Sequence, residues 1–241
     1  MALKVFVDFD GTITRTDVGN EFFREFGGTV CDEIVLAYRQ GEISAQECFR
    51  REINAIRTLS QHDAKEFLAR QAIDESFREF VEFCHVQGIV LTIVSDGLDY
   101  YIGKILQRHG LKDIVFFSNR LHMQVVDDGD RCSLAIQFPH TDAECVRCGC
   151  CKRNIILTYT GEEDIVVYIG EGCSDFCPAQ FADMVFAKDA LQTFCQQENI
   201  SYHSYQSFHD IEMRLAELLG KKVLRKRRRA ELKRREAFVN E

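Results

Sequence analysis

Residues 3–12 read LKVFVDFDGT: an apolar run rich in β-branched and aromatic residues that stops at two carboxylates and a glycine. The run suits a strand buried on both faces, and Gly11 breaks it. Asp8 and Asp10 cannot stay charged inside a core without partners. Similar apolar runs recur at 89–94, 114–117, 165–169 and 184–187, separated by segments of helical periodicity. Continuous apolar strands that alternate with helices predict a parallel sheet covered on both faces. The expected fold class is α/β, a Rossmann-like doubly wound parallel sheet.

Two insertions interrupt that plan. From about 17 to 87 the pattern is helical. Val18, Phe22, Phe23 and Phe26 mark one helix and Ile34, Val35 and Tyr38 a second. Ser44 with Glu47 caps a third, Ser60 a fourth, and Phe77, Phe80, Val81 and Cys84 line a fifth. This block is too long for one crossover and predicts an inserted small α-helical cap. Residues 119–138 predict a β-hairpin insertion that turns at 127–130. The expected division is core at 1–14, cap at 15–75, core at 76–220 and a basic C-terminal tail at 221–241. In that tail KKVLRKRRRAELKRR reads as a solvated helical extension, frayed at its end.

Charge and cysteine content narrow the function. The tail carries ten Lys and Arg against three Glu, or +7, which leaves −15 for residues 1–220. A basic body-wide surface for nucleic acid is excluded; only the tail offers positive charge, and few aromatics accompany it. No run approaches the length of a membrane helix. Asp8 and Asp10 interrupt the apolar start, so no signal peptide is expected, and a cytoplasmic location follows. The 11 cysteines are an odd number in a chain large enough to bury a core, which favours reduced thiols over a disulfide framework. Cys145, Cys148, Cys150 and Cys151 include one C-x₂-C spacing without a second separated pair, and read as a packed or substrate-facing loop rather than a zinc site. His122 and His140 lie near the hairpin and read as structural or exposed.

Four strand ends carry chemistry. These are Asp8 to Thr12, then Ser95-Asp96-Gly97, then Lys152 entering a helix, and last the loop Gly170 to Asp175. In doubly wound sheets functional groups gather at the carboxyl ends of strands. Clustered carboxylates suit Mg²⁺. A lysine supplies a point charge for a phosphate. A serine hydroxyl and loop amides bind phosphate oxygens. One carboxylate can attack phosphorus while another protonates the leaving oxygen. Together these describe phosphoryl transfer through an aspartyl-phosphate.

DFDGT, VSDG, the isolated Lys152 and GEGCSD, in that order, resemble the four signature motifs of the haloacid-dehalogenase superfamily of phosphatases. The resemblance extends to about residue 219, and the helical insertion resembles the small cap of the phosphoserine-phosphatase branch. CGCCK at 148–152, the hairpin before it and the run from Ile169 to Leu191 look most like methionine-salvage phosphatases, which act on 2-hydroxy-3-keto-5-methylthiopentenyl-1-phosphate. The resemblance implies Asp8 as nucleophile and metal ligand. It implies Asp10 as general acid and base, with its backbone carbonyl on the metal. Ser95, Asp96, Gly97 and Lys152 would hold the phosphate, and Glu171 and Asp175 would complete the Mg²⁺ shell. Glu171 stands where the family usually has Asp, and Arg153 and Asn154 depart from Pro-Ser. The implied partner is a small phosphorylated metabolite, with phosphocholine, phosphoethanolamine and phosphoserine as alternatives. Arg15, Asn20, Glu21, Phe22 and Arg50 are the cap positions expected near the ester. The rival of another class is a non-catalytic binding protein that uses the basic tail; intact Asp8 and Asp10 argue against it.

Overall fold

The computed structural model describes residues 2–126, 129–143 and 145–239. The strands are β1 (Leu3–Val7), β2 (Leu59–Ser60), β3 (Val90–Leu98), β4 (Val115–Val125), β5 (Arg131–Gln137), β6 (Ile165–Gly170), β7 (Met184–Ala187) and β8 (His203–Ser204). The helices are α1 (Val18–Gly27), α2 (Val30–Arg39), α3 (Ala45–Ile56), α4 (Gln61–Arg70), α5 (Phe77–Val86), α6 (Asp99–Arg108), α7 (Lys152–Tyr159), α8 (Phe176–Phe181), α9 (Asp189–Gln197), α10 (Phe208–Gly220) and α11 (Arg228–Val239). Among the described residues the strands form one sheet in the order β2-β5-β4-β3-β1-β6-β7-β8. From β4 to β8 all neighbours run parallel; β5 and β2 join antiparallel. The result is the expected α/β sheet, extended at one end by the hairpin.

Alternation along β1 shows why its apolar run is continuous. Val5 and Val7 enter the core cluster formed with α5, α6, α10 and the cap helices. Phe6 enters the second cluster, with Ile155, Ile156, Ala179, Leu191 and Cys195 of α7, α8 and α9. Both faces are covered, so neither can be polar. The caps expected of Ser44 and Ser60 are present: their hydroxyls accept from the amides of Glu47 and Asp63.

The structure departs from the sequence reading in three places. The short strand at 114–117 and the first arm of the hairpin are one strand, β4, whose first part pairs with β3 and whose later part pairs with β5 from Arg120↔Gln137 to Val125↔Cys132. Asp127 and Asp128 of the expected turn lie outside the described residues. The cap meets the hairpin directly, because β2 adds to β5 and the Gln61 amide donates to the Asp130 carbonyl.

The third departure is the tail, which is docked rather than solvated. Arg234 of α11 is buried and bridges both oxygens of Asp183 at 2.9 and 3.0 Å. The Arg227 amide donates to the same carboxylate, and its guanidinium to the carbonyls of Ala179 and Gln180. Lys226, Arg229 and Arg235 reach Glu162, Glu163 and Glu198. The positive tail thus pairs with acidic groups of its own chain. No helix of the described residues is long and apolar enough to cross a membrane.

Candidate active site

The carboxyl ends of β1, β3 and β6 meet at one cavity of about 400 Å³, closed on the far side by α1, α2 and α3 of the cap. Asp8, Asp10, Asp96, Gly97 and Glu171 line it from the sheet side. Ser95, Lys152 and Asp175 are buried directly behind.

Lys152 is the hub. Its ammonium is 1% exposed and donates to Asp8 Oδ1 at 2.7 Å, Ser174 Oγ at 2.9 Å and Asp175 Oδ1 at 2.6 Å. Burial alone would depress a lysine, but Asp175 and Asp8 hold this one well above the ordinary value. Asp175 is used up by structure. Its Oδ1 also accepts from the Tyr168 hydroxyl, and its Oδ2 accepts from the amides of Glu171 and Gly172. A Cβ on Gly170 would lie 2.5 Å from that Oδ2, so only glycine lets the loop close over the carboxylate.

Asp8 and Asp10 occupy different surroundings. Burial and the Asp175 charge push Asp8 up, against the pull of Lys152. Its second oxygen has no protein donor among the described residues. Asp10 forms no ion pair among the described residues. It accepts from the Gly19 amide at 3.1 Å, from Ser95 Oγ at 3.2 Å and from the Tyr101 hydroxyl at 2.9 Å. Burial, with the Asp17 charge behind it, pushes Asp10 up to about 7. A Cβ on Gly97 would fall 1.9 Å from the Tyr101 hydroxyl and 2.5 Å from Asp10 Oδ2. The glycine of VSDG therefore makes room for this pair.

The other sequence-predicted groups divide. Ser95 Oγ accepts from the Gly97 amide at 2.9 Å, so its turn is fixed. Asp96 turns one oxygen to the Cys150 amide at 2.7 Å, and its carbonyl accepts from Asn119 at 2.6 Å; it anchors the loop that delivers Lys152. The Glu171 carboxylate faces the cavity beside Gly11, whose Cβ would lie 3.0 Å from it. Burial and Asp175 push Glu171 up to about 7. Among the described residues no three His, Cys, Asp or Glu converge as a metal cluster. Lys152 stands between Asp8 and Asp175, where a cation would otherwise gather them.

The cysteine loop is a brace for the cap. The Tyr38 hydroxyl donates to the Arg147 carbonyl and the Ala45 amide to that of Val146. Cys150 and Cys151 are buried free thiols, and burial pushes Cys150 well up. His140 packs edge-on against Phe117, and His122 contacts Gln137.

Of the expected cap positions, only Asn20 lines the cavity. Phe22 is fully buried among Phe23, Phe26 and Phe67; Arg15 pairs with Glu75, Glu21 meets Gln71, and Arg50 lies over Phe138. In their place stand Phe23, Tyr38, Arg39, Cys48, Phe49 and Glu52. Glu52 was open to detection, because a carboxylate at i+4 from Cys48 and i−4 from Ile56 interrupts a buried helical stripe. Tyr101 carried no such signal, since an aromatic on the apolar stripe of α6 reads as core.

The family model described as Putative Phosphatase matches residues 3–215. A 2-hydroxy-3-keto-5-methylthiopentenyl-1-phosphate phosphatase of Bacillus cereus (strain ZK / E33L) is 31% identical over 231 residues, covering 92% of this chain and 100% of its own. That of Bacillus thuringiensis (strain Al Hakam) is 30% identical over the same shares. Among solved structures, a phospho-aspartyl intermediate analogue of phosphoserine phosphatase superposes with a TM-score of 0.63 at 20% identity, over 87% of this chain and 97% of that one. The chain belongs to the Putative Phosphatase family, and so to the phosphoric monoester hydrolases of haloacid-dehalogenase type.

Proposed function

We propose that this chain is a Mg²⁺-dependent phosphomonoesterase that works through an aspartyl-phosphate on Asp8. The observation that carries the reading is the contrast between two aspartates in one cavity: Asp8 is ion-paired with Lys152, while Asp10, pushed up to about 7, has no ion pair among the described residues. A nucleophile must be anionic and a general acid protonated. Burial and Asp175 push Asp8 up too, so its anion depends on the Lys152 ammonium and on a cation the cavity would hold, whereas Asp10 at about 7 can carry the proton. Asp8 attacks phosphorus as Asp10 passes its proton to the departing alkoxide oxygen. Asp10, now a base, takes a proton from the water that cleaves the acyl phosphate and frees Asp8. Lys152 neutralises and Ser95 holds the phosphoryl oxygens, with the Gly97 amide fixing the Ser95 hydroxyl. Asp96 and Asp175 act one step back, Asp96 by holding the loop before Lys152 and Asp175 by fixing Lys152 and the backbone of Glu171 and Gly172.

The donor set fits a hard cation. Asp8 and Glu171 present carboxylate oxygens to the cavity, and both are pushed up by burial and like charge despite the opposing charges of Lys152 on Asp8 and Lys188 on Glu171. With the Asp10 backbone carbonyl they would hold Mg²⁺, which keeps several waters. Bound there, it would supply charge neutralisation for the transferring phosphoryl group.

The substrate we assign is a small phosphorylated metabolite of the methionine-salvage type. The named activity of the Bacillus relatives, aligned over 92% of this chain, supports it. So does the apolar cap wall of Phe23, Val35, Ala45 and Phe49, which suits a methylthio chain. The test is phosphate release by the purified chain with Mg²⁺. We expect turnover of 2-hydroxy-3-keto-5-methylthiopentenyl-1-phosphate above that of phosphoserine, and its loss on chelation. Turnover that survives exhaustive chelation would overturn the metal requirement, and a preference for phosphoserine would overturn the substrate assignment.

A further inference from the structure

Glu52 sits in the middle of α3 with 3% of its surface exposed, on the stripe that also buries Ala45, Cys48, Ile53 and Ile56. It lines the same cavity as Asp8 and Asp10. Among the described residues its one hydrogen bond is from the Cys48 thiol, 3.7 Å from Oε2. A thiol is a weak donor. Arg39 borders the cavity but forms no ion pair with Glu52 among the described residues. Burial, with the Asp17 charge nearby, pushes the carboxyl up to about 8.

A carboxyl group placed there is costly unless something else satisfies it. An apolar residue would fill a purely structural stripe at lower cost. The space in front of Glu52 is the cavity, so the missing donor must come from what the cavity holds. Phe23, Val35 and Phe49 make the surroundings apolar and keep the carboxyl by itself neutral, so a donor brought in by the ligand would favour the anion of Glu52, and the hydrogen bond to it would be strong there. A leaving group with its own carboxylate would instead meet Glu52 and Asp17 together.

Resting on the phosphatase reading, we infer that Glu52 is a specificity residue: it receives a hydrogen-bond-donating group, hydroxyl or ammonium, on the leaving alcohol and disfavours alcohols that carry a carboxylate. Sites built around such a bond reject analogues that lack the donor far better than analogues that differ by a methylene.

The test is kcat/KM of the full chain with Mg²⁺ on four small esters. These are 3-hydroxypropyl phosphate, phosphoethanolamine, propyl phosphate as the donor-free control, and phosphoglycolate as the carboxylate. Wild type should favour at least one donor-bearing ester over propyl phosphate by tenfold or more, with phosphoglycolate last. The first two esters distinguish a hydroxyl from an ammonium. Glu52→Met should bring the ratio close to one. Glu52→Gln, which keeps the shape, should cut an ammonium preference about tenfold. A folded Glu52→Met enzyme with its preference intact, or a wild type with none, overturns the inference. If the Met variant does not fold, the wild-type ranking and Glu52→Gln decide. Failure of the wild type on every ester, propyl phosphate included, would strike the phosphatase reading itself.

Discussion

Asp175 and Asp183 lie eight positions apart and are buried by the same means, yet only one of them borders a place where chemistry can occur. Asp175 takes two loop amides, a tyrosine hydroxyl and Lys152. Asp183 takes the Val166 and Arg227 amides and both oxygens' worth of Arg234. At Asp183 every partner is internal, and two arginines serve one carboxylate. At Asp175 the cation is shared with Asp8, while Asp10 and Glu171 stand at the same cavity with no ion pair among the described residues, Glu171 feeling only the charge of Lys188. Buried charge with a partner is thus no mark of a site. A surplus of carboxylates over cations, facing open space, is one.

Removing charge should therefore act oppositely at the two centres. The largest effect is expected from Asp8→Asn, which leaves Lys152 its bond to Asp175 but no nucleophile. Turnover should fall by about 10⁴-fold or more. The melting temperature should hold or rise, because a carboxylate crowded by Asp175 and Asp10 has been neutralised. Steady-state phosphate release and a thermal melt measure both. Near-wild-type turnover would dissolve the distinction between the centres.

Asp10→Asn should cost less, within the 10²–10⁴-fold typical of general acid catalysis. Its pH behaviour sharpens the assignment. Asp10 is raised to about 7, so the proton donor is present below that pH and is lost above it. Wild-type kcat on an alkyl phosphate should decline as pH rises through 7. That limb should vanish in Asp10→Asn, and should be weak for p-nitrophenyl phosphate, whose leaving group needs little protonation. An alkaline limb that persists in the variant would assign it to another group.

At the tail the same kind of deletion should spare chemistry and damage stability. Arg234→Ala leaves Asp183 buried with part of its charge unpaired, a loss of about 3–5 kcal/mol. Deleting 221–241 removes Arg227 as well and should cost more. Denaturant unfolding reads the loss, and kcat per folded molecule should stay within about twofold. A collapse of kcat in folded Arg234→Ala would join the two centres into one functional unit.

The same asymmetry governs what could be read from the chain. The site's sheet face was legible because each polar group there ends an apolar run: Asp8 after β1, Ser95 within β3, Glu171 after β6. Strand order and polarity place such ends together before any contact is known. The tail was not legible in that way. Arg234 and Arg229 look alike in a basic run, and only the three-dimensional approach of Asp183 buries the first and leaves the second exposed. β4 was divided because its later residues change from a parallel neighbour to an antiparallel one, a change of partner that periodicity does not encode. The cap wall was missed at Arg15, Glu21, Phe22 and Arg50 because helix phase relative to a distant sheet depends on how α1 and α3 pack, not on their own spacing. Tyr101 shows the limit most clearly. Its hydroxyl meets Asp10 only because Gly97 and Gly19 leave room, a fact spread over three segments.

Glu171 offers the smallest and most discriminating comparison. Its amide is fixed by Asp175, while its carboxylate faces the cavity beside Gly11, where a Cβ would lie 3.0 Å from Oε1. The longer side chain thus reaches the cavity from a backbone that Asp175 holds in place. Burial and Asp175 raise it to about 7, a state that a bound cation would reverse by stabilising the anion. Glu171→Gln keeps the volume and removes the charge. Half-saturation by Mg²⁺, from activity titration and from thermal stabilisation by the metal, should rise at least tenfold, about 1.4 kcal/mol. Asp175→Asn should weaken Mg²⁺ as well but also loosen the fold, because it disturbs Lys152, Tyr168 and two amides at once. If Glu171→Gln leaves both Mg²⁺ readouts unchanged, the surplus carboxylate at the site is not there for a metal.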